Sequence, residues 1–386
     1  MKPTIKYLTG ARLVLKDEIL DDASLLIEDG IITAINPENH GQAKEVHLEG
    51  QTLMPGMIDL HCDALEKEYE PRPGVHFPID FAVAQADKRN AAAGISTVFH
   101  ALSFANDELG VRNNEVASTI VRAIAGWKPH ALVDNRVHCR YEVTDPTALP
   151  VLFDLIDDEV ADMISVMDHT PNQGQFKNMA AYKAFHARNY KKDDAQLDQM
   201  LQQKLEASEG AFDRIKQLVS KAQQAGVRVA SHDDDTIEKI KIMQGLGVQI
   251  SEFPINLETA QAAKKAGLHT VFGAPNVLRG SSQSGSMKAV EAIHQGVADC
   301  LCADYSPASL IVAVMRLPEM TELSLPQAVQ LVTTNPAEAA GLGDRGEVAV
   351  GKRADLIAVQ HLGKLPQVGR VWINGVLAFQ ARYDHG

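Results

Sequence analysis

The sequence has no apolar run approaching about 18 residues, the span a membrane-crossing helix needs, and no secretory leader pattern at its start. Both absences point to a soluble, cytoplasmic protein without a membrane partner. An excess of positive charge is also missing. The 37 Lys and Arg are outnumbered by 50 Asp and Glu, for a net charge of −13. That argues against a general nucleic-acid binder, because phosphate backbones call for basic surfaces. A small anionic substrate stays compatible, since a few local cations outweigh distant surface acids. Cysteine is scarce: Cys62, Cys139, Cys300 and Cys302, with no C-x-x-C pair. Their apolar, strand-like surroundings predict buried free thiols in a reducing compartment. Internal repeats and low-complexity segments are absent, and no Gly-rich phosphate loop follows the first strand-like run of the central region. An open doubly wound sheet would be expected to carry such a loop.

What is present is an ordinary globular composition, 45% hydrophobic over 386 residues, enough for one large domain and a smaller one. The first 54 residues read as short Val-, Ile- and Leu-rich strands at 5–15, 24–28, 30–35 and 44–48, separated by turn signals such as Asp29–Gly30. The C-terminal tail has the same character at 346–350, 355–359 and 368–379, with an Asn374–Gly375 hairpin signal. The economical reading pairs both ends into one small β domain, 1–54 with 343–386, around an inserted domain at 55–342.

The insert alternates. Apolar strand-like runs at 57–61, 95–100, 137–143, 163–167, 227–231, 248–253, 269–273 and 299–303 are separated by helix-like stretches, among them 80–93, 114–125, 177–225, 257–266 and 287–295. Eight such units predict an α/β fold: a closed parallel (β/α)8 TIM-type barrel with a small β-sandwich domain built from both chain termini. In such a barrel chemistry sits at the C-terminal strand ends. The first run ends in His61 and Asp63, two residues apart and so on one face of a strand, able to grip one divalent ion. The third carries His138, Arg140 and Glu142 on one face, costly unless that face meets a polar site. Later runs end in Asp168–His169, in His232–Asp233–Asp234–Asp235, in Glu252, and in Asp304. His100, near the end of the second run, reads as a packed or supporting histidine, and Asp233 as a possible helix cap. His61, Asp63, Glu142, His169, His232 and Asp304 are the metal-ligand candidates, enough for two divalent ions.

The H-x-D after the first strand, the S-H-D-D at 231–234, Asp304, the split β domain and G-K-R-A-D-L at 351–356 resemble the amidohydrolase superfamily. Longer stretches are more specific: L-H-C-D-A-L-E-K (60–67) with P-R-P (71–73), M-D-H-T-P-N-Q-G-Q-F (167–176), A-S-H-D-D (230–234), G-A-P-N-V-L-R-G-S-S-Q-S-G (273–285), A-D-Y-S-P-A-S-L (303–310) and T-T-N-P-A (333–337). They resemble the α-D-ribose 1-methylphosphonate 5-triphosphate diphosphatase family of the carbon–phosphorus lyase pathway, over nearly the whole chain. The resemblance implies a metal-dependent hydrolase of phosphonate metabolism, cleaving a ribose 5-triphosphate to the 5-phosphate and pyrophosphate. It implies two divalent ions, zinc first, with manganese or iron as alternatives. One ion would be held by His61 and Asp63 and the other by His169 and His232, with Glu142 between them and Asp304 accepting the proton of the attacking water. Arg140, Arg279 and Lys177, then Lys67 and Arg72, would meet the triphosphate, helped by Ser281, Ser282 and Ser284.

Two departures stand out. Most superfamily members carry H-x-H where this chain has His61 and Asp63, and the harder oxygen ligand favours manganese or iron. The histidines also follow the fourth and fifth runs instead of the usual fifth and sixth. Either a strand before 227 goes uncounted or the ligand set is shifted, which would bring in Glu252. Rival readings are an amidohydrolase acting on a C–N bond, such as a deacetylase or cyclic-amide hydrolase, and a catalytically inactive structural homologue. Association into a homo-oligomer stays open.

Overall fold

The computed structural model describes residues 5–106, 112–170, 202, 205–282 and 286–383. Both chain ends build one sheet. Its strands are β1 (Ile5–Val14), β2 (Ile19–Glu28), β3 (Ile31–Ile35), β4 (Lys44–His47), β5 (Thr52–Pro55), β14 (Leu356–Leu362), β15 (Leu365–Ile373) and β16 (Val376–Gln380). The order is β16-β15-β14-β5-β1-β2-β3, with β4 on β1. The termini meet where β5 and β14 run antiparallel, Thr52 opposite Val359 and Pro55 opposite Leu356. Both expected hairpin turns form. Asp29 and Gly30 take φ of 47° and 85°, Asn374 and Gly375 take 49° and 71°, the left-handed pair that a two-residue hairpin matching strand twist requires. The two tips pack together so closely that a Cβ on Gly375 would lie 2.9 Å from the Gly30 Cα. The sheet buries Leu8, Leu13, Leu25, Ile27, Leu53 and Trp372.

The expected strand at 346–350 does not form. Gly346 turns with φ of 87°, and a Cβ there would come within 2.9 Å of the Thr333 carbonyl oxygen. The segment is pinned as a tight connection, with Thr334 Oγ1 donating to the Gly346 carbonyl at 3.0 Å. Val348 alone from it joins the buried residues of the small sheet's core.

The central region is the barrel, and among the described residues its strand count is the one read from the sequence. The strands are β6 (Met57–Cys62), β7 (Ile95–Phe104), β8 (Asp134–Glu142), β9 (Met163–Met167), β10 (Arg228–His232), β11 (Ile250–Glu252), β12 (His269–Gly273) and β13 (Cys300–Cys302). Neighbours pair in sequence order, and the pairs are parallel. The seam between last and first strands is stitched just beyond their ends: Asp304 N donates to the His61 carbonyl at 2.9 Å and Asp63 N to the Asp304 carbonyl at 3.0 Å. Helices cover the outside through apolar stripes at helical spacing. Asn114–Trp127 buries Ala117, Ile120, Val121 and Ile124, and Asn113 caps it by accepting from Val116 N. Ala211–Gln224 buries Ile215, Leu218, Val219 and Ala222. One apolar cluster joins Ile58, Phe99, Met163, Ala230, Ile250, Val271 and Cys300 across the barrel strands. His232 and Glu252 stand two residues beyond Ala230 and Ile250, on the same strand faces. The strand ends therefore place a polar layer directly after an apolar one. All four cysteines are buried free thiols. Among the described residues no helix is long and apolar enough to cross a membrane.

Candidate metal centre

Just past the ends of three barrel strands stands a residue with left-handed backbone: Asp233 at φ 52°, Phe253 at 54° and Asp304 at 54°. Aspartate tolerates this region; phenylalanine does so at a cost of order 1–3 kcal/mol, a strain concentrated at functional sites. At Asp233 and Phe253 the kink directly follows His232 and Glu252, the last residues of β10 and β11, while Asp304 lies two residues past β13. His232 and Glu252, a register pair on β10 and β11, are thereby left at the rim of the polar layer.

Two groups of ligand-type side chains result. His61, His138 and Glu252 are all buried and offer atoms within 4.8 Å of one another. His61 Nδ1 lies 3.0 Å from Glu252 Oε1, and His138 Nε2 lies 3.7 Å from Glu252 Oε2. His169, His232 and Asp233 form the second group, within the same limit and nearer solvent. The groups adjoin: the His61 and His232 ring centroids are 5.5 Å apart, and the Phe253 ring packs edge-on against both. His138 Nε2, Glu252 Oε2 and His232 Nε2 are buried without a hydrogen-bond partner. Orphaned buried nitrogen and oxygen lone pairs are costly, and a divalent cation is what this donor set would satisfy. The residues present fit a metal.

The electrostatics agree. Burial, then the Arg140 guanidinium, holds His61 well below the ordinary histidine range, and burial brings His138 down to about 4. Both rings are neutral at pH 7, the state that donates to a metal. Burial, followed by repulsion from Asp63, lifts Asp304 to about 7, and burial raises Asp63 while Arg140 opposes it. Asp59, buried on β6, is pushed to about 8 by burial although its carboxylate accepts from Ala303 N and His61 N. Asp233 moves the other way: burial disfavours its charge, but His232, His169 and Lys239 together hold it below the usual carboxylate range.

The sequence-derived candidates fall into three sets. His61, Asp63, Arg140, His232 and Asp304 share one electrostatic neighbourhood at the strand ends. Asp63 lies just past β6, as the N-cap residue of helix Ala64–Tyr69. Glu142 meets His169 Nδ1 at 2.9 Å and accepts from Thr144 Oγ1 at 2.8 Å. Arg140 is buried, donating to Ser103 Oγ at 3.0 Å. At the rim, exposed Arg279 ends a short helix, Ala274–Arg279, and donates to Tyr305 Oη at 3.4 Å. Lys67 and Arg72 are exposed; Lys67 is felt by Asp63, while Arg72 sits in a turn closed by Val75 N on its carbonyl. Ser281 and Ser282 follow Arg279 in the exposed or half-buried loop. Lys177 and Ser284 lie outside the described residues. His138 and Asp233 entered neither ligand set read from the sequence. Asp233 is no helix cap either, since Thr236 caps the helix that follows. His100 is buried away from both groups, its Nε2 2.8 Å from Asn135 Oδ1.

Comparison with known proteins places the chain. Residues 201–378 match the model of the amidohydrolase family. The chain is 34% identical over 377 residues to the α-D-ribose 1-methylphosphonate 5-triphosphate diphosphatase of Escherichia coli K12, covering 96% of this chain and 100% of that one. Among solved structures, N-acetylglucosamine-6-phosphate deacetylase from Pasteurella multocida superposes with a TM-score of 0.65 at 15% identity, covering 97% and 99% of the two chains. Dihydropyrimidinase from Brevibacillus agri gives 0.62 at 14% identity, covering 97% and 94%. At such identities the structural likeness speaks for the fold alone.

Proposed function

The chain belongs to the amidohydrolase family, and from that premise we propose that it hydrolyses the triphosphate of α-D-ribose 1-methylphosphonate 5-triphosphate, releasing pyrophosphate and leaving the 5-phosphate, as a cytoplasmic enzyme of phosphonate catabolism. The observation that carries the reading is a strand-end cluster joining two His/carboxylate groups to a buried guanidinium, in a chain similar from end to end to a diphosphatase. A deacetylase or cyclic-amide hydrolase would need fewer cations near the site than a triphosphate does.

In this reading His61, His138 and Glu252 would hold one divalent ion, and His169, His232 and Asp233 would hold a second. Asp63, Glu142 and Asp304 would be further oxygen donors nearby, and the Glu142 contact with His169 fixes that ring. Zinc fits the histidines; the oxygen-rich remainder suits manganese or iron. Such ions supply acidified water and neutralise charge gathering on phosphoryl oxygens. The chain supplies the rest. A carboxyl poised near neutrality by burial and by Asp63 suits Asp304 to take the proton of the attacking water on its Oδ atoms. The α–β phosphoanhydride bond breaks, and the departing pyrophosphate meets cationic side chains. Arg140 is fixed in place for this by Ser103, and Arg279 stands at the rim beside Tyr305. Lys67, Arg72 and Lys177 are the further cations proposed for the triphosphate.

The test is pyrophosphate release by the metal-loaded protein. Ribose 5-triphosphate esters and nucleoside triphosphates are compared with N-acetylglucosamine 6-phosphate and dihydroorotate. Pyrophosphate from the triphosphates, with the amides untouched, is the expected result. Amide hydrolysis without pyrophosphate release refutes the proposal.

A further inference from the structure

The run His232–Asp233–Asp234–Asp235 contains a carboxylate that the metal reading leaves unused. Asp234 is wholly buried, yet it does not face the histidines. Strand alternation would return residue 234 to the face of His232, but the left-handed backbone at Asp233 breaks the alternation and sends Asp234 behind the barrel wall. There its Oδ2 accepts two hydroxyls, Ser231 Oγ at 2.6 Å and Ser251 Oγ in a short contact. Ser231 and Ser251 are register partners on β10 and β11, and the next pair in that register is His232 with Glu252. Asp234 therefore grips the two strands one residue before the point where each presents a ligand-type side chain to the other face.

The grip has a third point. Lys239, on helix Ile237–Gly245, brings its Nζ to 3.4 Å from Asp234 Oδ1 and donates from the same atom to the His232 carbonyl at 2.9 Å. Backbone bonds complete the frame: Asp233 N to the Glu252 carbonyl at 2.9 Å and Ile255 N to the Asp234 carbonyl at 3.0 Å. A buried carboxylate earns its place when its oxygens are met by hydroxyls and an ammonium. Here those partners are the immediate neighbours of His232 and Glu252, and these two belong to different ligand groups.

We propose that Asp234 is a positioning residue that sets the separation of the two metal-holding groups, acting through Ser231 and Ser251 on β10 and β11 and through Lys239 on the His232 backbone. The proposal rests on the two-ion reading above. It concerns spacing: loosening the grip lets the end of β10 move relative to the end of β11, so the ion of the outer group is lost before the buried one.

The experiment titrates metal-free full-length protein with Zn²⁺ alone and reads both equivalents by competition with a chromophoric chelator. Mn²⁺-loaded samples add the electron paramagnetic resonance signature of a coupled ion pair. The variants are Asp234→Asn, Ser251→Ala and Ser251→Thr, the last keeping a hydroxyl. Asp234→Asn and Ser251→Ala are expected to weaken the second equivalent about 10–100-fold, the usual cost of disturbing groups behind metal ligands. The first equivalent and the far-ultraviolet circular dichroism should be nearly unchanged, and the coupled Mn²⁺ signal reduced. Ser251→Thr should restore the second site. If Asp234→Asn does not fold, the Ser251 pair decides alone. Wild-type affinity for both equivalents in Ser251→Ala, or equal weakening of both, overturns the proposal while leaving the metal reading intact. A wild-type protein that takes up no metal overturns both.

Discussion

Glu252→Gln separates a metal ligand from a merely buried carboxylate. Glu252 is completely buried and its nearest partner is a neutral imidazole, His61 Nδ1 at 3.0 Å. In metal-free protein the substitution therefore exchanges one charge-assisted hydrogen bond for a neutral one. Such bonds to charged groups contribute about 1.5–3 kcal/mol, and the glutamine carbonyl recovers part of that, so a loss of about 1 kcal/mol is expected. The effect on metal-linked stability is larger. At a free metal concentration of about 1,000 times Kd, binding stabilises the wild type by about 4.1 kcal/mol. Removing one of three ligand-type groups is expected to raise Kd about 100-fold, the top of the range for disturbing the shell behind the ligands. The same metal then gives the variant about 1.4 kcal/mol by the same linkage relation. With an unfolding entropy of about 2.1 cal/mol/K per residue over 386 residues, the missing 2.7 kcal/mol or so corresponds to a metal-induced Tm rise smaller by about 3 °C. The assay is differential scanning calorimetry of each protein with and without metal, each referenced to its own metal-free form. A variant whose metal-induced rise equals that of the wild type refutes Glu252 as a ligand, whatever its metal-free Tm.

Four further outcomes are expected. Asp304→Asn should keep most of the bound metal and lower kcat by about 10²–10⁴-fold, the span of general acid–base groups; an unchanged kcat and pH profile would remove it from the mechanism. Arg279→Ala should raise KM for a triphosphate much more than for a neutral ester, as its exposed place beside Tyr305 suggests; equal effects would make it a structural arginine. Asp59 sits at about 8 when folded against 3.8 ordinarily, so the folded state holds the extra proton. Its contribution is complete below pH 3.8 and is lost as pH rises through about 8. Denaturation of metal-free protein at pH 5, 7 and 9 should show stability falling with pH, and Asp59→Asn should flatten that fall; an identical slope in the variant contradicts the assignment. At Gly56 an added Cβ would lie 2.5 Å from the Ser96 Cβ, so Gly56→Ala should cost about 1–3 kcal/mol, read from the denaturant midpoint, and Ser96→Gly in the same chain should return most of it.

The barrel was legible because its signals are local. Each strand is a short apolar run, and among the described residues the eight of them put His169 after β9 and His232 at the end of β10. With β9 and β10 paired directly, the shifted arrangement is the one the proposal above adopts, and with it Glu252 as a candidate. The hairpins at Asp29–Gly30 and Asn374–Gly375 were legible for the same reason, since those residue pairs favour the left-handed backbone such turns need. The segment at 346–350 was not, because its conformation follows from the approach of Gly346 to Thr333 and Ala337, residues of the preceding connection. Within the site, alternation alone put His138, Arg140 and Glu142 on one face. It could not divide them: His138 meets Glu252 across the barrel while Glu142 meets His169 on the next strand. The three aspartates after His232 show the limit most clearly. A period-two pattern treats Asp233 and Asp235 as one face and Asp234 as the other, or all three as a solvated turn. The sign of a single φ at Asp233 decides otherwise. It leaves Asp233 beside the imidazoles and turns Asp234 behind the wall onto Ser231 and Ser251. Neighbouring residues of one type thus acquire opposite roles, one facing the candidate ions and one gripping the strands that face them. That division is a property of the backbone path, so it became visible only when the path was known.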